Sequence, residues 1–293
     1  MKIILVATDA RSRNLVFVAD TLRAYSLDEA VPLAKAGKFA DVYTVRRNSG
    51  TYLRTKPNVP KKEQLDQISI SPYRLFSALD NIEHALSTPA FVDYWQRYQS
   101  RLHKNEPYIV VKGYPRITKK AVRDKLQPQK KSVHSAAGNF DVDPYLLGAI
   151  IIDEIARFAP FEPVTDPLSG YFVGVNTLAG IAQVEIDTAQ DLIKKGYYNP
   201  DPDKLSPATI HKVSRRELYK YVKKPKHSIY FAAARMRALT DEWKRFVDLS
   251  QRSEIIATLY HLPYRRPHAD PHPNDRGLQI IKEFYPLAKK WLR

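Results

Sequence analysis

The stretch that decides the fold is residues 138–196, GNFDVDPYLLGAIIIDEIARFAPFEPVTDPLSGYFVGVNTLAGIAQVEIDTAQDLIKKG. Asp143 is a good N-cap and Pro144 suits a first helical turn, so the sequence predicts a helix that ends near Phe158. Leucine and isoleucine share a face of this helix with Glu154. Because burial and the negative end of a helix both raise a carboxyl pKa, Glu154 is predicted to be an acid that is protonated near neutral pH.

Arg157 provides a structural alternative for Glu154. It lies three residues after Glu154 and four after Asp153, so its guanidinium could pair with either carboxylate. Pairing with Glu154 would lower the pKa of that carboxyl and leave it in a structural role. Asp153 is expected on the surface, where Arg157 would be its partner.

The stretch resembles the lysozyme-like superfamily, specifically soluble lytic transglycosylases and goose-type lysozymes. Those proteins have a short helix of the form V-D/P-x-L-L-x-A-I-I-x-x-E, then a loop and G-L-M-Q-hydrophobic-x-P-x-T-A. The first half matches residues 142–154, and the second half matches residues 179–189. The resemblance implies that Glu154 is the catalytic acid, and that Gly180 and Gln183 line a sugar cleft.

A third family element is a tyrosine late in the fold, and Tyr260 is the residue that corresponds to it here. The preceding family helix corresponds to residues 228–246. The chain also departs from the pattern: the Asn and Gly expected around the tyrosine are missing, and Ile155 replaces a serine that usually follows the glutamate. The 29 residues from Glu154 to Gln183 imply an enlarged loop.

The implied activity is cleavage of the β-1,4 bonds between N-acetylmuramic acid and N-acetylglucosamine in peptidoglycan, without metal or organic cofactor. A hydrolase of the two-carboxylate kind needs a second acid, for which Asp166 is best placed and Glu162 and Glu185 are available. Asp166 can equally be an ordinary loop carboxylate. Because no second carboxylate is clearly paired with Glu154, the single-acid route of a lytic transglycosylase is favoured over hydrolysis.

The whole chain is predicted to have three regions, the last of which contains this segment. Together they predict an α+β, mainly α fold class. Residues 1–70 are a small β-rich module, and their AYSLDEAVPLAKAGKFADVYTV…GTYLRTKPN resembles a short bacterial domain of unknown function. Residues 71–134 are a helical and basic connecting region, with helices expected between residues 72 and 102. Residues 135–293 are the lysozyme-like helical, catalytic domain.

Within the β-rich module, the sequence predicts three strands and one helix. The helix opens at Ser26 with Glu29 three residues later, and Gly37 can end it. The predicted strands are Ile3–Ala7, Leu15–Ala19 and Val42–Val45.

Composition narrows the function classes. There is no cysteine, which excludes disulfides, thiolate zinc sites and cysteine nucleophiles. No apolar stretch is long enough for a membrane span, and the first residues resemble a strand rather than a signal peptide. A peptidoglycan substrate implies action in the periplasm or at the cell wall. Without a signal peptide, the protein is expected to reach it by specialised export or lysis. The net charge is 47 − 31 = +16, which indicates a polyanionic partner such as peptidoglycan glycan strands, an anionic membrane or nucleic acid.

The charge is uneven along the chain. Residues 141–191 hold nine acids and one base, so the remaining chain carries 46 − 22 = +24. Residues 211–227 combine seven Lys and Arg with two tyrosines, which suits nucleic acid or an anionic glycan. Two alternatives to the enzyme therefore remain: a silent lysozyme-like module that binds glycan or protein, and a basic nucleic-acid-binding protein.

The histidines of YHLPYRRPHADPHPND, residues 260–275, are predicted to lie in a proline-rich surface loop rather than in a metal site.

Overall fold

The computed structural model describes residues 1–8, 12–21, 24–47, 50–70, 105–112, 114, 116–159, 178–263 and 265–293. The chain divides into two compact units, residues 1–119 with 157–172 and residues 120–156 with 173–293. It is mainly helical with small sheets, which confirms the predicted α+β, mainly α class. The helices predicted between residues 72 and 102, and the loop carboxylates Glu162 and Asp166, lie outside the described residues.

The first unit is built on short strands near the N-terminus. They are β1 (Ile3–Thr8), β2 (Asn14–Ala19), β3 (Ala24–Ser26), β4 (Val42–Arg47), β5 (Gly50–Thr55) and β6 (Ser69–Ile70). One sheet has the order β3-β2-β1-β6, with antiparallel pairing except between β1 and β6, which run parallel. β4 and β5 form a separate antiparallel hairpin. The three strands predicted in this region are confirmed.

The helix of this module is α1 (Leu27–Lys35). The Ser26 hydroxyl accepts from the Glu29 backbone amide at 3.3 Å, and the Glu29 carboxylate accepts from the Ser26 amide at 2.8 Å. Gly37, at φ 68°, follows the end of the helix, as predicted. The core between the sheet and α1 buries Val6, Phe17, Ala30, Phe39, Val42 and Leu53. Later in this unit, β7 (Tyr108–Ile109) pairs with β8 (Ile117–Thr118).

The described residues of the second unit form helices and one small hairpin. Its helices are α2 (Lys119–Leu126), α3 (Lys130–Phe140), α4 (Pro144–Phe158), α5 (Ile186–Lys194), α6 (Arg215–Val222), α7 (Pro225–Trp243), α8 (Ser253–His261), α9 (Asp275–Gln279) and α10 (Tyr285–Leu292), the ends of α2 and α4 falling in the first unit. A π-helical turn, Ile280–Phe284, joins α9 to α10. The hairpin pairs β9 (Leu178–Ala179) with β10 (Val184–Glu185). The helices predicted to start near Asp143 and Ser228 are confirmed as α4 and α7.

Helix α4 is buried along nearly its whole length, which explains why its sequence is apolar on every side. Asp143 caps its start, because its Oδ1 accepts from the Tyr145 amide at 2.7 Å. Gly148 lets α10 approach closely, since a Cβ at that position would overlap the Leu292 side chain. Asp153 is 0% exposed, so the prediction that it lies on the surface is wrong.

Among the described residues, no helix has the length and apolar character that crossing a bilayer would require.

Candidate active site

Two adjacent carboxylates lie at the buried C-terminal part of α4. Asp153 is 0% exposed and Glu154 is 4% exposed. The guanidinium of Arg276, on α9, donates to Asp153 Oδ2 from Nε at 2.8 Å and contacts the same oxygen from Nη2 at 2.7 Å. Its Nη2 also donates to Glu154 Oε1 at 3.1 Å. Arg276 therefore compensates part of the charge that folding removes from water at both carboxylates.

His261, the last residue of α8, completes this cluster. Its side chain is 4% exposed, with Nδ1 lying 3.0 Å from Glu154 Oε1 and Nε2 lying 3.8 Å from Asp153 Oδ2. The loop prediction is therefore wrong for His261, which ends a helix and faces two carboxylates. The loop prediction is confirmed for His272, which lies outside helices and strands. His272 forms an exposed pair with Asp270 at 3.2 Å.

The close packing of α9 on α8 fixes the position of Arg276. The Asn274 side chain caps α9 by accepting from the Gly277 amide at 2.8 Å, and the Asn274 amide donates to Thr258 Oγ1 at 3.1 Å. A Cβ on Gly277 would overlap the Thr258 hydroxyl and lie 2.7 Å from the Glu254 carbonyl oxygen. Glycine at this position therefore allows the approach that brings the neighbouring Arg276 to α4.

The predicted cleft residues Gly180 and Gln183 lie on the turn between β9 and β10. Both have left-handed backbone angles, with φ 71° and 46°. The Gln183 side chain folds back on the turn, where its Nε2 donates to the Gly180 carbonyl at 2.8 Å. A Cβ on Gly180 would overlap the Ser228 side chain and the Val222 carbonyl oxygen, so close packing accounts for a glycine there.

Tyr260 connects this turn with the surroundings of Glu154. Its hydroxyl donates to the Ala182 carbonyl at 3.1 Å, and the residue is 5% exposed. Burial, and next the negative charge of Glu154, raise the pKa of the Tyr260 phenol well above its usual value. The structure thus joins Tyr260 to the 180–183 turn on one side and, through the adjacent His261, to Glu154 on the other. Asp166 lies outside the described residues, so its role stays a prediction.

A metal ion is one possible occupant of the carboxylate cluster. Asp153, Glu154 and His261 each offer a ligand atom, and these atoms lie within 4.8 Å of one another. However, Arg276 already supplies positive charge at Asp153 Oδ2 and Glu154 Oε1, and a divalent cation would compete with it for those oxygens. The prediction that the site works without a metal stays a prediction.

The cluster has the parts of an acid–base site. The predicted burial of Glu154 is confirmed, and His261 lies within the distance at which a proton passes between two groups. Arg276 acts against burial, because a cation 3.1 Å away favours the ionised carboxylate.

Arg276 and His261 are the site residues that the sequence did not predict. A partial signal was present, because an apolar helix with two adjacent acids needs a nearby cation, and residues 141–191 contain Arg157 as their only base. Any further base must come from outside that segment, and the sequence does not say from where.

The fold and the site define a mainly helical α+β protein with a buried acid–base cluster beside a tight hairpin turn. No protein-family model matches the chain, and a search of curated proteins gives no significant match.

Proposed function

We propose that this chain cleaves β-1,4 glycosidic bonds of peptidoglycan, with Glu154 as the general acid and then the general base. The observation that supports this most is the Tyr260–Ala182 hydrogen bond of 3.1 Å. It ties together two of the three separate segments that resemble the lysozyme-like superfamily, and His261, next to Tyr260, contacts the third at Glu154.

Chemical considerations support the same assignment. Breaking a glycosidic bond requires protonation of the leaving oxygen, and a buried carboxyl is suited to that step. After Glu154 gives its proton to the leaving oxygen, its carboxylate takes the proton of the hydroxyl that attacks next, which restores the acid; His261 Nδ1 lies 3.0 Å from Oε1 of this carboxyl. In the single-acid route, the N-acetyl group of the substrate attacks the anomeric carbon, so no second carboxylate is needed.

One observation favours a second function, a lysozyme-like module that binds glycan or protein without cleaving it. Arg276 pairs with Asp153 and Glu154 in the pattern of a structural ion-pair network. In that case both carboxylates would serve the stability of the fold.

The test is digestion of purified cell walls by the full chain, followed by mass spectrometry of the soluble products. Fragments with 1,6-anhydro ends are expected, and reducing ends would indicate a hydrolase with a second carboxylate. The Glu217→Gln variant, which changes an exposed acid of α6, is the matched control and should release the same fragments. If the wild-type chain releases no fragments from any wall type, the cleavage proposal is wrong and the silent module is favoured.

A further inference from the structure

Five half-buried aromatic rings form a continuous cluster around the junction of α6 and α7, which we call the aromatic surface. Neighbouring ring centroids lie 5.2 to 6.2 Å apart. The members are Phe140, Tyr198, Tyr221, His227 and Tyr230, drawn from α3, α6, α7 and the segment after α5. This cluster belongs to the second unit and contains none of the candidate catalytic residues.

The aromatic surface is held by hydrogen bonds at each phenol. The Tyr198 hydroxyl bonds to His227 Nδ1, the Tyr230 hydroxyl bonds to Ser135 Oγ, and the Tyr221 hydroxyl donates to Asp201 Oδ2, each at 2.7 Å. These bonds fix the rings in place. Ligand binding there would consequently need little further ordering of the side chains.

Two exposed lysines lie over these rings. Lys224 Nζ is 5.7 Å from the centroid of Tyr221, and Lys226 Nζ is 5.9 Å from the centroid of Tyr230. Within the described parts of the chain, neither ammonium has a carboxylate oxygen within 4.0 Å. Arg215, on the neighbouring helix α6, does have a carboxylate partner, because it binds Asp187 at 2.6 Å. The two ammoniums are therefore positioned by the rings and still available to an anion.

The pKa of His227 is affected by the same two positive charges. Burial lowers the pKa of its imidazole, and the charges of Lys224 and Lys226 lower it further. Both ammoniums therefore act on one side chain at the centre of the aromatic surface. Asp201, an acid beside Tyr221, is engaged by the Tyr221 hydroxyl and by Lys204 at 3.5 Å.

We propose that Lys224 and Lys226, held by the aromatic surface, bind the phosphates of a linear phosphodiester polymer that carries no nucleobases. Phosphate chains bind ammonium groups whatever their other substituents. Stacking of nucleobases needs open ring faces, whereas the lysines cover Tyr221 and Tyr230, and His227, Tyr198 and Phe140 contact the same rings. The surface is thus built to recognise phosphate rather than bases.

The probe is a fluorescent abasic phosphodiester oligomer of about 12 phosphates, compared with an oligothymidylate of equal length. We expect the full chain to bind both with similar affinity. Lys224→Gln/Lys226→Gln should weaken binding about tenfold and reduce the slope of log affinity against log salt by about 1.4. The matched control, Lys61→Gln/Lys62→Gln, removes the same charge from exposed positions of the first unit and should change neither quantity.

Three results would overturn the proposal: no binding of the abasic oligomer, an equal loss in both double variants, or oligothymidylate bound more than tenfold tighter. The last result would identify a nucleic-acid surface that stacks bases. Thermal unfolding of the double variants ensures that any loss reflects the surface and not the fold. The assay measures binding, so its outcome is separate from that of peptidoglycan cleavage at Glu154.

Discussion

The Arg276 guanidinium donates to the Glu154 carboxylate over 3.1 Å, although 122 residues separate the two in the chain. The same guanidinium binds Asp153, so part of the charge of α4 is compensated by a residue from a distant segment of the chain. The candidate active site therefore depends on the packing of α9 against α8 and α4. A change in that packing should alter both the stability of the fold and the ionisation of Glu154.

Asp153→Asn should lower the free energy of unfolding by about 1.5–3 kcal/mol, because it removes a buried charged acceptor of a hydrogen bond while Arg276 keeps Glu154 as a partner. Asp187→Asn is the matched control, since the Asp187–Arg215 pair is as short, at 2.6 Å, but its side chains are 41% and 43% exposed. We expect a loss of at most about 1 kcal/mol there. Urea unfolding of both variants measures the difference, and equal losses would show that burial of the cluster contributes no extra stability.

Arg276→Gln should move the alkaline limb of the pH–rate profile to higher pH. The proposed acid must be protonated, so activity falls as pH rises through the pKa of Glu154. Removing a cation 3.1 Å away raises that pKa, so the limb should move to higher pH. Arg215→Gln, which removes the same charge from an exposed pair, should leave the limb where it is. A shift to lower pH in Arg276→Gln would contradict the assignment of Glu154 as acid.

Gly277→Ala should destabilise the protein, because the added methyl group would push α9 away from Thr258. Gly138→Ala provides the comparison. Gly138 lies inside α3 with nothing within 4 Å of an added Cβ, so this change should stabilise the fold by about 0.5–1 kcal/mol. Thermal unfolding distinguishes the two, and a neutral Gly277→Ala would show that α9 can move without consequence.

His227 should make the protein less stable in mild acid. Folding lowers the pKa of His227 below its ordinary value of 6.5. As pH falls below 6.5, the unfolded chain therefore binds the proton before the folded protein does. The contribution of His227 to stability is complete above pH 6.5 and decreases as pH falls to the pKa of the folded state. The loss is at most about 1.4 kcal/mol per pH unit. Urea unfolding at about pH 7.5 and about pH 5.5 should show a larger decrease for wild type than for His227→Gln, and equal decreases would refute the linkage.

Local sequence rules predicted the parts of the fold that depend on neighbours in the chain. Asp143 and Pro144 marked the start of α4, and Ser26 with Glu29 marked that of α1, because capping involves residues within one helical turn. The same rules failed for Asp153. The i,i+4 pattern suggested Arg157 as a surface partner, whereas Asp153 and Arg157 are both buried and Arg276 of α9 binds Asp153. Long-range packing of this kind leaves no periodic signal.

The candidate site was predictable to a similar extent. Burial of Glu154 followed from the apolar stripe of α4, and Tyr260 was singled out by resemblance before the structure joined it to the 180–183 turn. His261 was missed because prolines after it indicated a loop, although the helix runs through His261 before the first of them. A buried histidine at a helix end is decided by tertiary packing, which the sequence alone does not show.

The measurement that tests the central claim most directly is the initial rate of soluble-fragment release from purified peptidoglycan by wild type and Glu154→Gln. Both proteins are assayed below their thermal midpoints, so that each is folded. The account predicts release by wild type and a loss of about 100-fold or more in the variant, as expected for removal of a general acid. Equal rates for the two folded proteins would contradict it.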